Sequence, residues 1–200
     1  MDIMTSKFLI YFHGFNSSPA SKKAMLMKDF IASHYPDITF IAPQITAFPL
    51  LALQQVQTIV DDILLETPNA DIGFVGSSMG GFLATLCSEK YERYGVLINP
   101  AVAPHKLIKS IIGEHVNPYT NDIYNITLNH ADELQAMNFD TLIAPAKLWI
   151  LLQQGDETLD YREAVDTYRG ARVTIEPQGN HSFVGFERFL NATVQFLFHQ

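Results

Sequence analysis

Short apolar runs punctuate the chain at Phe8–Phe12, Ile38–Ile41, Ile72–Val75, Val96–Ile98, Leu148–Leu152 and Val173–Ile175. Each is too short for a helix and nearly continuous in hydrophobicity, as expected of strands buried on both faces. Between them the apolar period lengthens to that of a helix. Leu53, Val56, Val60, Ile63 and Leu64 recur at helical spacing, predicting an amphipathic helix over about 50–66. Ser18 as N-cap with Pro19 in the first turn predicts a helix ending near Tyr35, since Pro36 follows. Phe82 to Lys90 forms a further helical pattern. Asp160 and Glu163 resemble a capping box opening a helix that Gly170 closes. Phe186, Phe189, Leu190, Val194 and Leu197 share one face of a final helix, an aromatic row spaced for core packing. Strands alternating with helices point to βαβ units and a largely parallel sheet.

Residues 99–146 break this rhythm. Helical patterns there are short, around Lys106–Ile112 and Ala131–Met137, and the segment is neither Gly/Ser-rich nor strongly charged. It reads as an excursion over the top of the sheet, a lid or cap within one domain spanning 1–200. A chain of 200 residues is long enough to bury most of its unfolded surface without staples.

Charge and composition narrow the function classes. A formal net charge of -8 with no Lys/Arg cluster argues against a nucleic-acid partner. No stretch approaches the roughly 18 apolar residues of a membrane span, and Met1 to Ser6 lacks a basic signal region. The single cysteine, Cys87, cannot close an intramolecular disulfide, which suits a cytoplasmic location and a role in packing. Glycosylation sequons at Asn16, Asn125, Asn180 and Asn191 carry no meaning in that compartment. His105 and His115 lack an i,i+4 partner, and neither a metal motif nor a phosphate or dinucleotide loop is present, so no metal or cofactor is expected.

The chemistry gathers at strand ends. Gly76-Ser77-Ser78-Met79-Gly80-Gly81 spells G-x-S-x-G between a buried strand and a helix. In that context the pattern is a nucleophile elbow, with glycines where a Cβ would strike the chain and Ser78 pushed out of the turn. The following helix start offers free amides and a partial positive charge to a developing oxyanion. A serine nucleophile needs a base and a residue to orient that base. His181, in Gly179-Asn180-His181-Ser182 after the last strand, is the candidate base. Asp156, directly after the strand Leu148–Leu152, is the candidate acid. Of its neighbours, Asp160 is occupied as a helix cap, and Glu157 is expected to point the opposite way. His13-Gly14-Phe15 follows the first strand. The Phe15 amide is expected to pair with that of Met79 as an oxyanion hole, His13 serving to hold the loop. Phe15, Ile45, Phe48, Leu50 and Met79 are candidates for an apolar pocket, Phe48 and Leu50 having packing as an equal alternative.

The order Ser78, Asp156, His181 is that of α/β-hydrolases. The segments Tyr11–Pro19, Gly76–Gly81, Gln153–Glu157 and Gly179–Phe183 together resemble the YqiA/YcfP group of small bacterial esterases over nearly the whole chain. The resemblance implies an α/β-hydrolase fold, a three-layer sandwich around a mostly parallel six-stranded sheet lacking the first antiparallel strands. It also implies esterase activity with Ser78, His181 and Asp156 as nucleophile, base and acid. The expected substrate is a small acyl ester or thioester. The rival reading is a non-catalytic relative of the same fold that binds a ligand or partner.

Overall fold

The computed structural model describes residues 5–199. The expected runs all form strands: β1 (Lys7–Phe12), β2 (Ile38–Ile41), β3 (Asp71–Ser77), β4 (Gly95–Ile98), then β7 (Leu148–Gln153) and β8 (Arg172–Glu176) after an intervening hairpin. They make one six-stranded sheet in the order β2-β1-β3-β4-β7-β8. Every pairing within it is parallel. All six strands therefore point their C-terminal ends to one edge, where ligands of open parallel sheets gather.

Alternating strand residues feed two separate cores. Ile10, Phe12, Ile72 and Phe74 pack on one face against α2 (Pro49–Glu66), α3 (Met79–Tyr91) and α6 (Tyr161–Thr167) through Val56, Val60, Leu83, Cys87 and Ala164. Leu9, Tyr11 and Val75 pack on the other against α1 (Lys22–His34) and α7 (Leu190–Phe198) through Met27, Ile31, Val194 and Leu197. The result is three layers. Gly73 lets α7 lie close on β3, since a Cβ there would stand 2.9 Å from Cβ of Leu197. Cys87 is a buried free thiol, its pKa pushed up to about 12 by burial. Among the described residues no helix is long and apolar enough to cross a membrane.

Several boundaries differ from expectation for local reasons. Helix α1 starts at Lys22, not beside Ser18. Ser18 is spent on a turn: its hydroxyl accepts from Ala20 N–H and its carbonyl from Ser21 N–H. Asp160 does cap α6, through Arg162 N–H, but the helix ends at Thr167 and Gly170, with φ of 89°, makes the turn beyond it. The terminal helix opens as a 3-10 turn, Phe186–Phe189, before α7.

The 99–146 segment contains α4 (Pro104–Lys109), an antiparallel hairpin of β5 (Gly113–Val116) and β6 (Ile123–Ile126), and α5 (Leu128–Ala136). Both helices sit close to the expected positions; the hairpin was not expected. Ile108, Ile126, Ala131 and Leu134 make a third apolar cluster over Phe82, with Phe15 and Met79 packed against it. The excursion thus lies on the same sheet edge as the candidate elbow.

Candidate active site

The elbow follows from where glycine stands. A Cβ on Gly76 would lie 2.1 Å from the Gly80 carbonyl oxygen, and one on Gly80 would lie 2.0 Å from that of Phe12. Gly81 is constrained less severely, its virtual Cβ falling 2.7 Å from Pro100 Cβ. With no side chains in these places the backbone turns within one residue from β3 into α3. Ser78 takes the resulting strain, at φ 56° and ψ −120°. Such a conformation costs a non-glycine residue about 1–3 kcal/mol and persists only where its surroundings impose it. They do: Ser78 N–H donates to the Ile98 carbonyl, and the Ser78 carbonyl accepts from Gly81 and Ala101.

Ser78 Oγ lies 3.0 Å from His181 Nε2. On the other side of the ring, Nδ1 is 2.9 Å from Oδ2 and 3.0 Å from Oδ1 of Asp156. An ionised carboxylate only accepts, so Nδ1 carries the proton and Nε2 is left to accept from the Ser78 hydroxyl. The Asp156 side chain is 2% exposed and that of His181 24%. Burial alone would raise the Asp156 pKa. The hydrogen bond from His181 and the Leu159 and Thr158 amides, both 2.9 Å from Oδ1, overcome it and hold the carboxyl below its ordinary value. Glu157 does not turn away as expected: Oε2 reaches back to accept from the His181 backbone N–H at 3.0 Å. It holds the same loop without touching the imidazole.

Gly14 brings the first loop against the elbow, a Cβ on it falling 3.3 Å from Ser78 Cβ. Among the described residues the amides of Phe15 and Met79 have no hydrogen-bond acceptor. His13 is buried in the loop. Its Nδ1–H donates to the Gly14 carbonyl at 2.8 Å and Nε2 accepts from Ile45 N–H at 2.9 Å. Nε2 accepts only when the imidazole is neutral, and burial, partly opposed by the Gly14 contact, pushes its pKa in that direction; the ring so ties two loops together. The unexpected hairpin supports the same loop from outside. Asn117 Nδ2 donates to the Ser17 carbonyl, Tyr124 hydroxyl bonds Asn16, and the Phe15 ring packs edge-on against His115 and Tyr124.

A cavity of about 40 Å³, lined by Phe15, Ile45, Met79, Leu83, Ile108 and Leu134 among others, opens beside these amides. A wider cleft of about 470 Å³ adjoins it, sharing Ile45, Thr46, Ala47 and Asn117 and adding Phe48. Of the expected pocket residues, Phe15, Ile45 and Met79 line the cavity and Phe48 the cleft; Leu50 is exposed and lines neither. Among the described residues no cluster of His, Cys, Asp or Glu is arranged to hold a metal ion.

Two residues near the base were not singled out from sequence. Asn99 follows β4 and Gln153 ends β7; each is 2% exposed and bonded through both ends of its amide. A polar side chain directly after a buried apolar strand was the available signal, and it is a weak one.

Comparison with known proteins agrees with this architecture. The model of the Uncharacterised protein family (UPF0227) matches residues 8–198. Est1E from Butyrivibrio proteoclasticus, solved with ferulic acid bound, superposes with a TM-score of 0.74 at 13% identity, covering 98% of this chain and 90% of that one. The alpha/beta hydrolase domain-containing protein 10 from mouse gives 0.70 at 18%, covering 96% and 89%. The Pyrococcus furiosus esterase Pf2001 gives 0.65 at 15%, covering 97% and 81%. The fold is that of the α/β hydrolases.

Proposed function

We propose, for a chain that belongs to the UPF0227 family (the YqiA family), a serine hydrolase cleaving carboxylic esters or thioesters through an acyl-enzyme on Ser78. The observation that carries this reading is the continuous relay from Ser78 Oγ through the His181 imidazole to a buried Asp156 carboxylate. A serine in that relay can lose its proton as it attacks. His181 Nε2 takes the proton while Asp156 holds the ring in the tautomer that leaves Nε2 free and stabilises the imidazolium. The tetrahedral oxyanion is held by the amides of Met79, at the positive end of α3, and Phe15. His181 then protonates the departing alcohol or thiol, and water repeats the sequence to release the acid. That Est1E was solved with ferulic acid, and that other proteins of this fold are named esterases, supports the reaction class.

The small cavity beside the two amides suits the acyl side of the substrate. Its size favours a short chain, a longer one having to pass the Ile45–Ala47 wall into the wider cleft. The 99–146 excursion, packed on Phe15 and Met79, serves as the cap of the site within the same domain.

The test is Asp156→Asn assayed on a short-chain nitrophenyl ester. The amide keeps the shape of the carboxylate but favours the wrong histidine tautomer, so turnover should fall on the order of 10⁴-fold. Turnover within about tenfold of wild type would remove Asp156 from the relay.

A further inference from the structure

We infer that Asn99 is a positioning residue for the base, clamping the His181 loop to the end of the strand that leads to Asp156. The inference rests on the hydrolase reading above. His181 lies on a loop between β8 and α7 and is itself only partly buried, so something must fix it to within the tolerance of proton transfer from Ser78. The geometry identifies what does so. Asn99 Nδ2 donates to two successive carbonyls of that loop, Asn180 at 3.0 Å and His181 at 3.2 Å. Its Oδ1 accepts from Gln153 N–H at 3.0 Å, and its own N–H donates to the Leu151 carbonyl at 2.9 Å. One buried amide thus ties the base's own peptide unit to the end of β7, three residues before Asp156.

The clamp reaches the nucleophile as well. Ile98, next to Asn99, accepts from Ser78 N–H, and Ala101 donates back to the Ser78 carbonyl. Between them Asn99 adopts φ of 40°, a left-handed conformation that asparagine tolerates better than most residues. The segment 98–101 is therefore a short strap with the elbow on one side and the base on the other.

Gln153 completes the arrangement from the far side of the loop. Its Oε1 accepts from Asn180 and Val184 N–H at 3.1 and 2.9 Å, and its Nε2 donates to the Val184 carbonyl and to Glu176. Gly179 is required for this approach, since a Cβ there would fall 2.0 Å from Gln153 Oε1. A buried amide with every hydrogen bond met locks its partners in place, and a half-satisfied one frees them.

The discriminating variant is Asn99→Asp. It keeps the volume, the tolerance for positive φ and the acceptor for Gln153 N–H, but replaces the donor that faces two carbonyl oxygens with a charged acceptor. Asn99→Ser, too short to reach both carbonyls and without the added charge, is the second variant. Rates are read per folded molecule, the folded fraction taken from near-UV circular dichroism. Both variants should lose about 10²-fold in kcat, with KM for a short ester within about twofold of wild type. Reaction of Ser78 with a fluorophosphonate should slow in proportion, and the downfield proton resonance of the His181–Asp156 hydrogen bond should broaden. Unchanged kcat per folded molecule, or a loss appearing wholly in KM, overturns the inference. If the hydrolase reading itself fails, wild type neither turns over nor labels, an outcome no Asn99 variant can imitate.

Discussion

Ser78→Ala is expected to abolish hydrolysis, lowering turnover on the order of 10⁴–10⁶-fold, while the protein folds as before. The two halves of that expectation come from different contacts. The hydroxyl's partner is Nε2 of the His181 imidazole, a side chain that is partly exposed, so its loss costs the fold little. The backbone bonds of Ser78 to Ile98, Gly81 and Ala101 do not involve the side chain and continue to impose its conformation. Alanine has the same Cβ and carries the same strain. Far-UV circular dichroism and the denaturant midpoint should therefore match wild type, and the amides of Met79 and Phe15 should leave only a small residual rate. A variant that turns over ester within about tenfold of wild type would end the assignment of Ser78 as nucleophile.

Gly80→Ala should do the opposite, damaging the fold before the chemistry. Its Cβ would stand 2.0 Å from the Phe12 carbonyl oxygen, 2.5 Å from the Phe12 carbonyl carbon and 2.6 Å from the His13 carbonyl oxygen. All three are backbone atoms at the end of β1, a strand paired on both sides, so no rotamer change relieves them. Overpacking against movable side chains costs roughly 1–3 kcal/mol. Here α3 must move off the sheet, and a loss of about 4 kcal/mol or more is expected. Urea titration should show a large fall in midpoint, or the protein should appear in the insoluble fraction. Gly113→Ala is the comparison: its φ is 131° but nothing lies within 4 Å of the added Cβ, so it carries backbone strain without the clash and should cost less. Equal midpoints for wild type and Gly80→Ala would contradict the packing described for the elbow.

What the sequence disclosed tracks how locally each feature is determined. The sheet strands were legible because their apolar runs are nearly unbroken, and β7 is buried at every position. The grouping of Ser78, Asp156 and His181 was legible because each follows a strand end within five residues and has a glycine within two, and chain order then limits the choice. The hairpin β5–β6 escaped because its strands are four residues long and carry Glu114, His115 and Asn125 among largely unburied positions. Ser18 misled for a related reason. A serine before a proline satisfies the local signal for a helix start, and the chain used it for a turn three residues early. Leu50 was expected in the pocket, but at the start of α2 it faces outward. Asn99 and Gln153 left only a weak local signal, a polar side chain at the end of a buried apolar strand. Their partners are 23 to 82 positions away, and little local distinguishes a clamping amide from an ordinary one.

The most direct measurement is reaction of the folded protein with a fluorophosphonate, followed by mass spectrometry of its peptides, with His181→Ala treated in parallel. The phosphonyl adduct should sit on Ser78 in wild type and be absent or greatly slowed in His181→Ala, because the serine is activated only through that imidazole. Absence of an adduct on folded wild-type protein, or equal labelling of Ser78 without His181, would contradict the relay from which the function is inferred.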